Sequence, residues 1–193
     1  MTSQVAYKNI PLLPFQLKTQ LEQKIAADPE WQYGLEWGHS RPGHPEGRVV
    51  FHIREVLDNV DCFFRNSAHR SSLRLIALIH DTFKYKAAQL EPDTHKKSHG
   101  YVARKFAERY ISDGGILEVI ELHDEAYKAY RLMARYGNRQ AAEVQATELI
   151  TRLGKNLDLF MRFYLCDCRT GDKSTAHYEW FQGLVEQQFK PTF

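Results

Sequence analysis

A chain of 193 residues can build one well-buried core, and 26 Lys and Arg against 24 Asp and Glu leave a formal charge of +2, too small to draw it generally to nucleic acid or membrane. No basic leader precedes an apolar run and no window approaches the ~20 apolar residues of a membrane span, so a single cytoplasmic domain over 1–193 is expected. Cys62, Cys166 and Cys168 are an odd set without a second close pair, which argues against a disulfide framework or zinc ribbon and leaves reduced core thiols.

Leu17 to Ala27 reads as a first helix closed by Asp28-Pro29. From Glu30 to Gly47, Trp31, Tyr33, Trp37, His39 and His44 fall among two prolines and four glycines, the composition of an aromatic-rich loop. Its rings either plug one end of the core or cover a site and stack on a nucleobase. A helix is predicted from about Arg48 to Asn66, because Val49, Ile53, Val56, Leu57, Val60, Phe63 and Phe64 recur at helical spacing. His52 projects to the rim of that stripe. Ser71-Ser72 is a plausible cap for the next helix, Leu73 to Asp81, which is apolar on nearly every side and ends in His80-Asp81.

Glu91-Pro92-Asp93 marks a break, after which Lys97 to Ile111 carries an apolar face of Val102, Ala103, Phe106, Ala107 and Tyr110, with His99 on it. Asp113-Gly114-Gly115 turns the chain into a helix from about Ile116 to Tyr136. That helix is expected to bury Ile116, Val119, Ile120, Tyr127 and Tyr130, with His123 in the middle of the stripe. Gln140 to Cys168 is a further helix with an interruption near Gly154, and Asp167 continues its apolar stripe one turn past Tyr164. Ser174 to Phe189 forms the last. No convincing strand interrupts the pattern, so the class is all-α.

Five helices thus set a His or Asp on or beside an apolar face: His52, His80 with Asp81, His99, His123 and Asp167. A single buried imidazole is usually a hydrogen-bonded core histidine, but a buried carboxylate costs several kcal/mol unless it finds positive charge. Four imidazoles and two carboxylates converging would satisfy one another through metal. Mixed N/O ligation suits Mn, Fe, Co, Ni or Zn better than Ca, and six side chains exceed one tetrahedral site, which leaves room for two ions.

The order His52, His80-Asp81, Asp167 resembles the HD superfamily of metal-dependent phosphohydrolases over about residues 42–173. His44-Pro45-Glu46-Gly47, with His52 following, is similar to the HPEG-x-x-x-x-H run of several HD proteins. Leu78 to Lys84 resembles LLHDxGK, although Phe83 stands where glycine is usual. Ser98-His99-Gly100 and Glu121-Leu122-His123 look like the two extra histidines of dinuclear members, and Asp167 falls where the closing aspartate is expected. The resemblance implies a bundle of about six to eight helices holding one or two divalent ions (Mn, Fe, Mg, Co, Ni or Zn). His52, His80, Asp81 and Asp167 would take the first and His99, His123 and a bridging Asp81 the second, with His95 as an alternative to His99.

The chemistry implied is hydrolysis of a nucleotide or other small phosphate ester, with Asp81 and Lys84 at the reacting centre. Arg48, Lys84, Arg169 and Lys173 are placed to bind its phosphate. The same ligand order also resembles the superfamily's di-iron oxygenases, and a non-catalytic metal-binding or sensory module is a third reading. Balanced charge and the lack of a basic helix argue against a nucleic-acid binder.

Overall fold

The computed structural model describes residues 10–89 and 98–188, and the regular structure among them is helical, in keeping with the all-α class. In chain order the helices are α1 (Gln20–Ala26), α2 (Pro29–Leu35), α3 (Val49–Phe63), α4 (Arg70–Ile79), α5 (Lys84–Ala87) and α6 (His99–Ala107). They continue with α7 (Gly114–Leu122), α8 (Glu125–Tyr136), α9 (Arg139–Leu153), α10 (Leu157–Cys168) and α11 (Ala176–Gln188). Eight of these run nine residues or longer, the three short ones being α1, α2 and α5. Arg41 and His44 form an isolated β-bridge in the α2–α3 connection.

Helix α4 is the axis of the fold. It packs against α3, α7 and α10, and Leu73, Ile76, Ala77, Leu78 and Ile79 have no exposed surface. Burying each of its large aliphatic side chains contributes about 1.5–3 kcal/mol, and Ile76→Ala would cost about 2–5 kcal/mol through the cavity it leaves. Ser71 and Ser72 do not cap this helix. It starts earlier, at Arg70, whose guanidinium is drawn to Asp61 by bonds of 2.9 and 2.7 Å, and His69 occupies the cap position without a side-chain cap bond.

Two boundaries differ from the sequence expectation for identifiable reasons, and a third agrees with it. Asp28-Pro29 opens a helix as well as closing one: Asp28 accepts from the Glu30 amide and Pro29 supplies the first helical residue, so the expected loop from Glu30 begins as α2. The helix expected through Tyr136 breaks at His123-Asp124, where the His123 ring takes the Ile120 carbonyl at 2.8 Å and α8 restarts on a new phase. Near Gly154 the expected interruption is a 3-10 turn, Gly154–Asn156, between α9 and α10. The proposed break at Glu91-Pro92-Asp93 and the alternative ligand His95 lie outside the described residues.

Trp31 belongs to the core. It is fully buried, and its indole N–H donates to the Leu78 carbonyl at 2.7 Å, one of the last carbonyls of α4. Its helix lies so close to the turn after α4 that a Cβ on Gly34 would stand 1.9 Å from the Thr82 carbonyl oxygen, so only glycine fits there. The aromatic segment therefore supports the end of α4 from behind. Of the cysteines, Cys166 and Cys168 are buried free thiols and Cys62 is exposed, so only two of the three are core residues.

Candidate metal centre

Two helices end in the same way at the centre of the molecule. His80 follows the last residue of α4 and its Nδ1–H donates to the Ala77 carbonyl at 3.0 Å; His123 follows α7 and its Nδ1–H donates to the Ile120 carbonyl at 2.8 Å. Each bond satisfies an orphan helix carbonyl and fixes the tautomer, leaving Nε2 bare and aimed forward. The negative ends of both helix dipoles add a field that favours a cation.

Around His80, the Nε2 of His52 lies 3.2 Å from the Nε2 of His80, 3.1 Å from Asp167 Oδ1 and 3.5 Å from Asp81 Oδ2. His80 Nε2 is 3.6 Å from the same Asp81 Oδ2. Around His123, the Nε2 atoms of His99 and His123 are 3.0 Å apart and each is 3.4 Å from Asp81 Oδ1. Asp81 thus presents one oxygen to each histidine group. Ligands about 2.1 Å from one ion stand about 3.0 Å apart at a right angle and about 3.4 Å apart at the tetrahedral angle, so these separations fit coordination spheres. The donor set is of the right kind as well, since bare imidazole nitrogens crowded against carboxylate oxygens have no proton to share between many of the pairs.

The electrostatics follow from that crowding. Burial pushes His80 down to about 3 and His99 also below its ordinary value, so both imidazoles are neutral near pH 7. For His52 and His123 burial acts the same way, but carboxylate neighbours, Asp167 and Glu46 in one case and Asp81 in the other, outweigh it and raise both. Asp81 and Asp167 are held well below the usual carboxylate range against a burial penalty, Asp81 chiefly by Lys84 and Asp167 chiefly by Lys173. The lysines are direct partners, with Lys84 Nζ 2.5 Å from Asp81 Oδ2 and Lys173 Nζ 3.0 Å from Asp167 Oδ1.

Above the cluster opens a cavity of about 490 Å³, of a size that suits a small-molecule ligand. Asp81, His123, Asp167, Lys84 and Lys173 line it, and so do Tyr127, Tyr130, Tyr164 and His177. Arg48 and Arg169 do not line it: Arg48 pairs with Glu36 and lies over Phe51, and Arg169 lies over Phe63. Neither does any ring of the Trp31–Trp37 segment, so that segment offers no stacking surface here. His52, expected at the rim, is fully enclosed because the α2–α3 connection folds over it.

His44 and Glu46, in the sequence part of a motif without an assigned role, come from that connection. Glu46 Oε1 lies 3.3 Å from His52 Nδ1 and 3.0 Å from His44 Nδ1, behind the ligand atom. Burial opposes its charge, yet the two histidines hold the Glu46 carboxyl down to about 2. Gly43 and Gly171 tie the layer down, their backbone N–H groups donating to the carboxylates of Asp172 and Glu55 at 2.7 and 2.8 Å. Asp124 was missed, although His123-Asp124 repeats the His-Asp doublet at the end of α4 and Asp124 lines the cavity.

Fold and site define an all-α protein with buried His/Asp groups that could hold metal ions: His52, His80 and Asp167 form one such group and Asp81, His99 and His123 a second, while the half-buried His44 and Glu46 form another with His52. Comparison with protein-family models, with curated proteins and with solved structures gave no match. None of the described helices is long and apolar enough to cross a membrane.

Proposed function

We propose that the chain is a metal-dependent hydrolase of small phosphate esters, with the cavity over Asp81 as its active site. The observation that carries this reading is the split carboxylate of Asp81, one oxygen toward each histidine group, beneath a cavity that also holds Lys84 and Lys173. His52, His80, Asp81 and Asp167 would hold one ion and His99, His123 and Asp81 the other. Divalent ions so held supply an activated water and neutralise charge on a phosphoryl group. The chain's own residues orient and bind. Lys84 and Lys173 pair with Asp81 and Asp167 and line the cavity a phosphoryl group would occupy, where an ammonium screens oxygens that gather charge. The resemblance of His52, His80-Asp81 and Asp167 to the HD ligand order supports the same reading.

The same six ligands would serve an oxygenase; Arg41, Lys84 and Lys173 line the cavity together with Asp81, Asp124, Asp167 and Asp172, and bound divalent ions would tip that balance toward an anionic substrate. Purified protein loaded with Mn, Co, Mg, Fe, Ni or Zn and assayed against mono-, di- and cyclic nucleotides and simple phosphate esters tests the proposal. Metal-dependent phosphate release that falls about a thousandfold or more in Asp81→Ala is expected. Turnover untouched by that change, oxygen-dependent turnover without phosphate release, or bound metal with no turnover would each overturn it.

A further inference from the structure

One buried imidazole in the cavity belongs to neither ligand group. His177, on α11, is buried among aromatic rings, with centroids of Tyr127, Tyr164 and Tyr130 at 5.1, 5.3 and 6.1 Å. Its Nδ1 lies 2.6 Å from the Tyr164 hydroxyl. Burial keeps Tyr164 protonated by driving its ionisation far up, so the hydroxyl proton needs an acceptor, and His177 Nδ1 is the partner in reach. With Nδ1 accepting, the proton of the neutral ring sits on Nε2. No described residue hydrogen-bonds that nitrogen, and His177 lines the cavity. Burial also holds His177 below its ordinary value, against Asp167, so the ring is neutral near pH 7.

We propose that His177 is a specificity-determining residue of this cavity, its Nε2–H donating to a hydrogen-bond acceptor on the organic part of the bound phosphate ester, beside the ring faces of Tyr127 and Tyr130. Tyr164 is the positioning residue, holding the tautomer that makes Nε2 a donor. The substrate class this selects is a phosphate ester with a planar, acceptor-bearing group, its phosphate toward Lys84 and Lys173. A site built around a donor discriminates strongly against ligands that leave the donor unpaired. The inference rests on the phosphate-ester reading above.

The test uses the full chain with and without Zn²⁺ and two non-hydrolysable probes of nearly equal shape, 4-acetylbenzylphosphonate and 4-isopropylbenzylphosphonate, with inorganic phosphate as a third. Calorimetry gives affinities, and ¹⁵N-edited NMR of the imidazoles reads the His177 tautomer and its response to ligand. Wild type is expected to show an Nε2–H tautomer at His177, to shift that resonance with the acetyl probe, and to bind it about tenfold tighter than the isopropyl probe. The preference should vanish in His177→Leu, weaken in Tyr164→Phe as the tautomers mix, and persist in His177→Gln. Equal affinity of wild type for the two phosphonates, or a preference that survives His177→Leu, overturns this inference alone. Should His177→Leu fail to fold, Tyr164→Phe and the wild-type preference decide the matter. No binding of any phosphate probe overturns the phosphate-ester reading and this inference with it.

Discussion

The two ends of α4 both bury charged or polar side chains, and they satisfy them in opposite ways. Near its start, Arg74 is 3% exposed and Glu22 1%, yet each polar atom has a complement. Arg74 Nε and Nη2 donate to the two oxygens of Glu22 at 2.8 and 3.0 Å, Nη1 donates to Asp61 at 2.8 Å, and Nη2 also reaches the Gln16 carbonyl at 2.8 Å. At the far end, the Nε2 atoms of His80 and His123 face those of His52 and His99 and the oxygens of Asp81, with more acceptors than protons to share among them. One network closes on itself, and the other is left in a form that metal ions could close. Burial of a polar residue therefore says little about function until donors and acceptors are matched.

The largest effect expected on stability comes from breaking the closed network. Arg74→Met leaves the Glu22 carboxylate buried without its partner and should cost about 3–5 kcal/mol, roughly 10 °C in Tm. Because Arg74 points away from the histidines, the surviving folded protein should keep its full metal stoichiometry by elemental analysis. A variant that loses metal in proportion to stability would show that the two ends are one unit. Chelation probes the open network by the complementary route. If ions are bound at about a thousandfold their dissociation constants, removing them takes away about 4 kcal/mol, so a chelator should lower Tm by several degrees in wild type and leave Asp81→Asn, expected to hold no ion, unmoved.

How far each network was legible in the sequence follows from what periodicity can see. His80-Asp81 stood out because a helix apolar all round ended in two polar groups, and α4 is as buried as that pattern requires. His52 was assigned to the rim since a helical projection knows nothing of Glu46 and the folded-over connection that cover it from another segment. Tyr127 and Tyr130 were assigned to the core stripe of one long helix; the break at His123-Asp124 resets the helical phase, and both end on the cavity wall. Trp31 reads as loop because glycines and prolines follow it, but Asp28-Pro29 before it starts a helix. Tyr164 and His177 are thirteen residues apart on different helices, so their hydrogen bond exists only in the tertiary structure.

A smaller change should split the open network into its two halves. Gly100, next to His99, lets α6 approach α7 so closely that a Cβ there would sit 2.3 Å from the Glu121 carbonyl oxygen. Gly100→Ala must push the helices apart by an appreciable fraction of an ångström, and His99 moves with α6 while His123 stays with α7. The group of His99, His123 and Asp81 should then lose about a hundredfold or more in ion affinity, with the His52, His80 and Asp167 group retained. Titration with Zn²⁺ would read this as a change from two tight equivalents to one. Loss of both together would mean that Asp81 cannot serve one group without the other.

The subtlest test concerns the layer behind His52. Glu46 Oε1 faces His52 Nδ1 at 3.3 Å without closing a hydrogen bond, and Glu46 Oε2 is buried without a partner too, so the carboxylate acts on the ring through its charge. Glu46→Gln keeps the shape and removes the charge that favours a proton on Nδ1, and hence a bare Nε2. Ion affinity at the His52 group should fall about 10–100-fold while the His99 group is unchanged. Acid supplies an independent check of sign. The Glu46 carboxyl falls from an ordinary 4.5 to about 2 in the folded chain, so its contribution to stability is present above about 4.5 and is lost as pH falls toward 2. Metal-free Glu46→Gln should therefore lose less stability than wild type between those limits, and an acid limb identical to wild type would show that Glu46 is not held by His52 and His44.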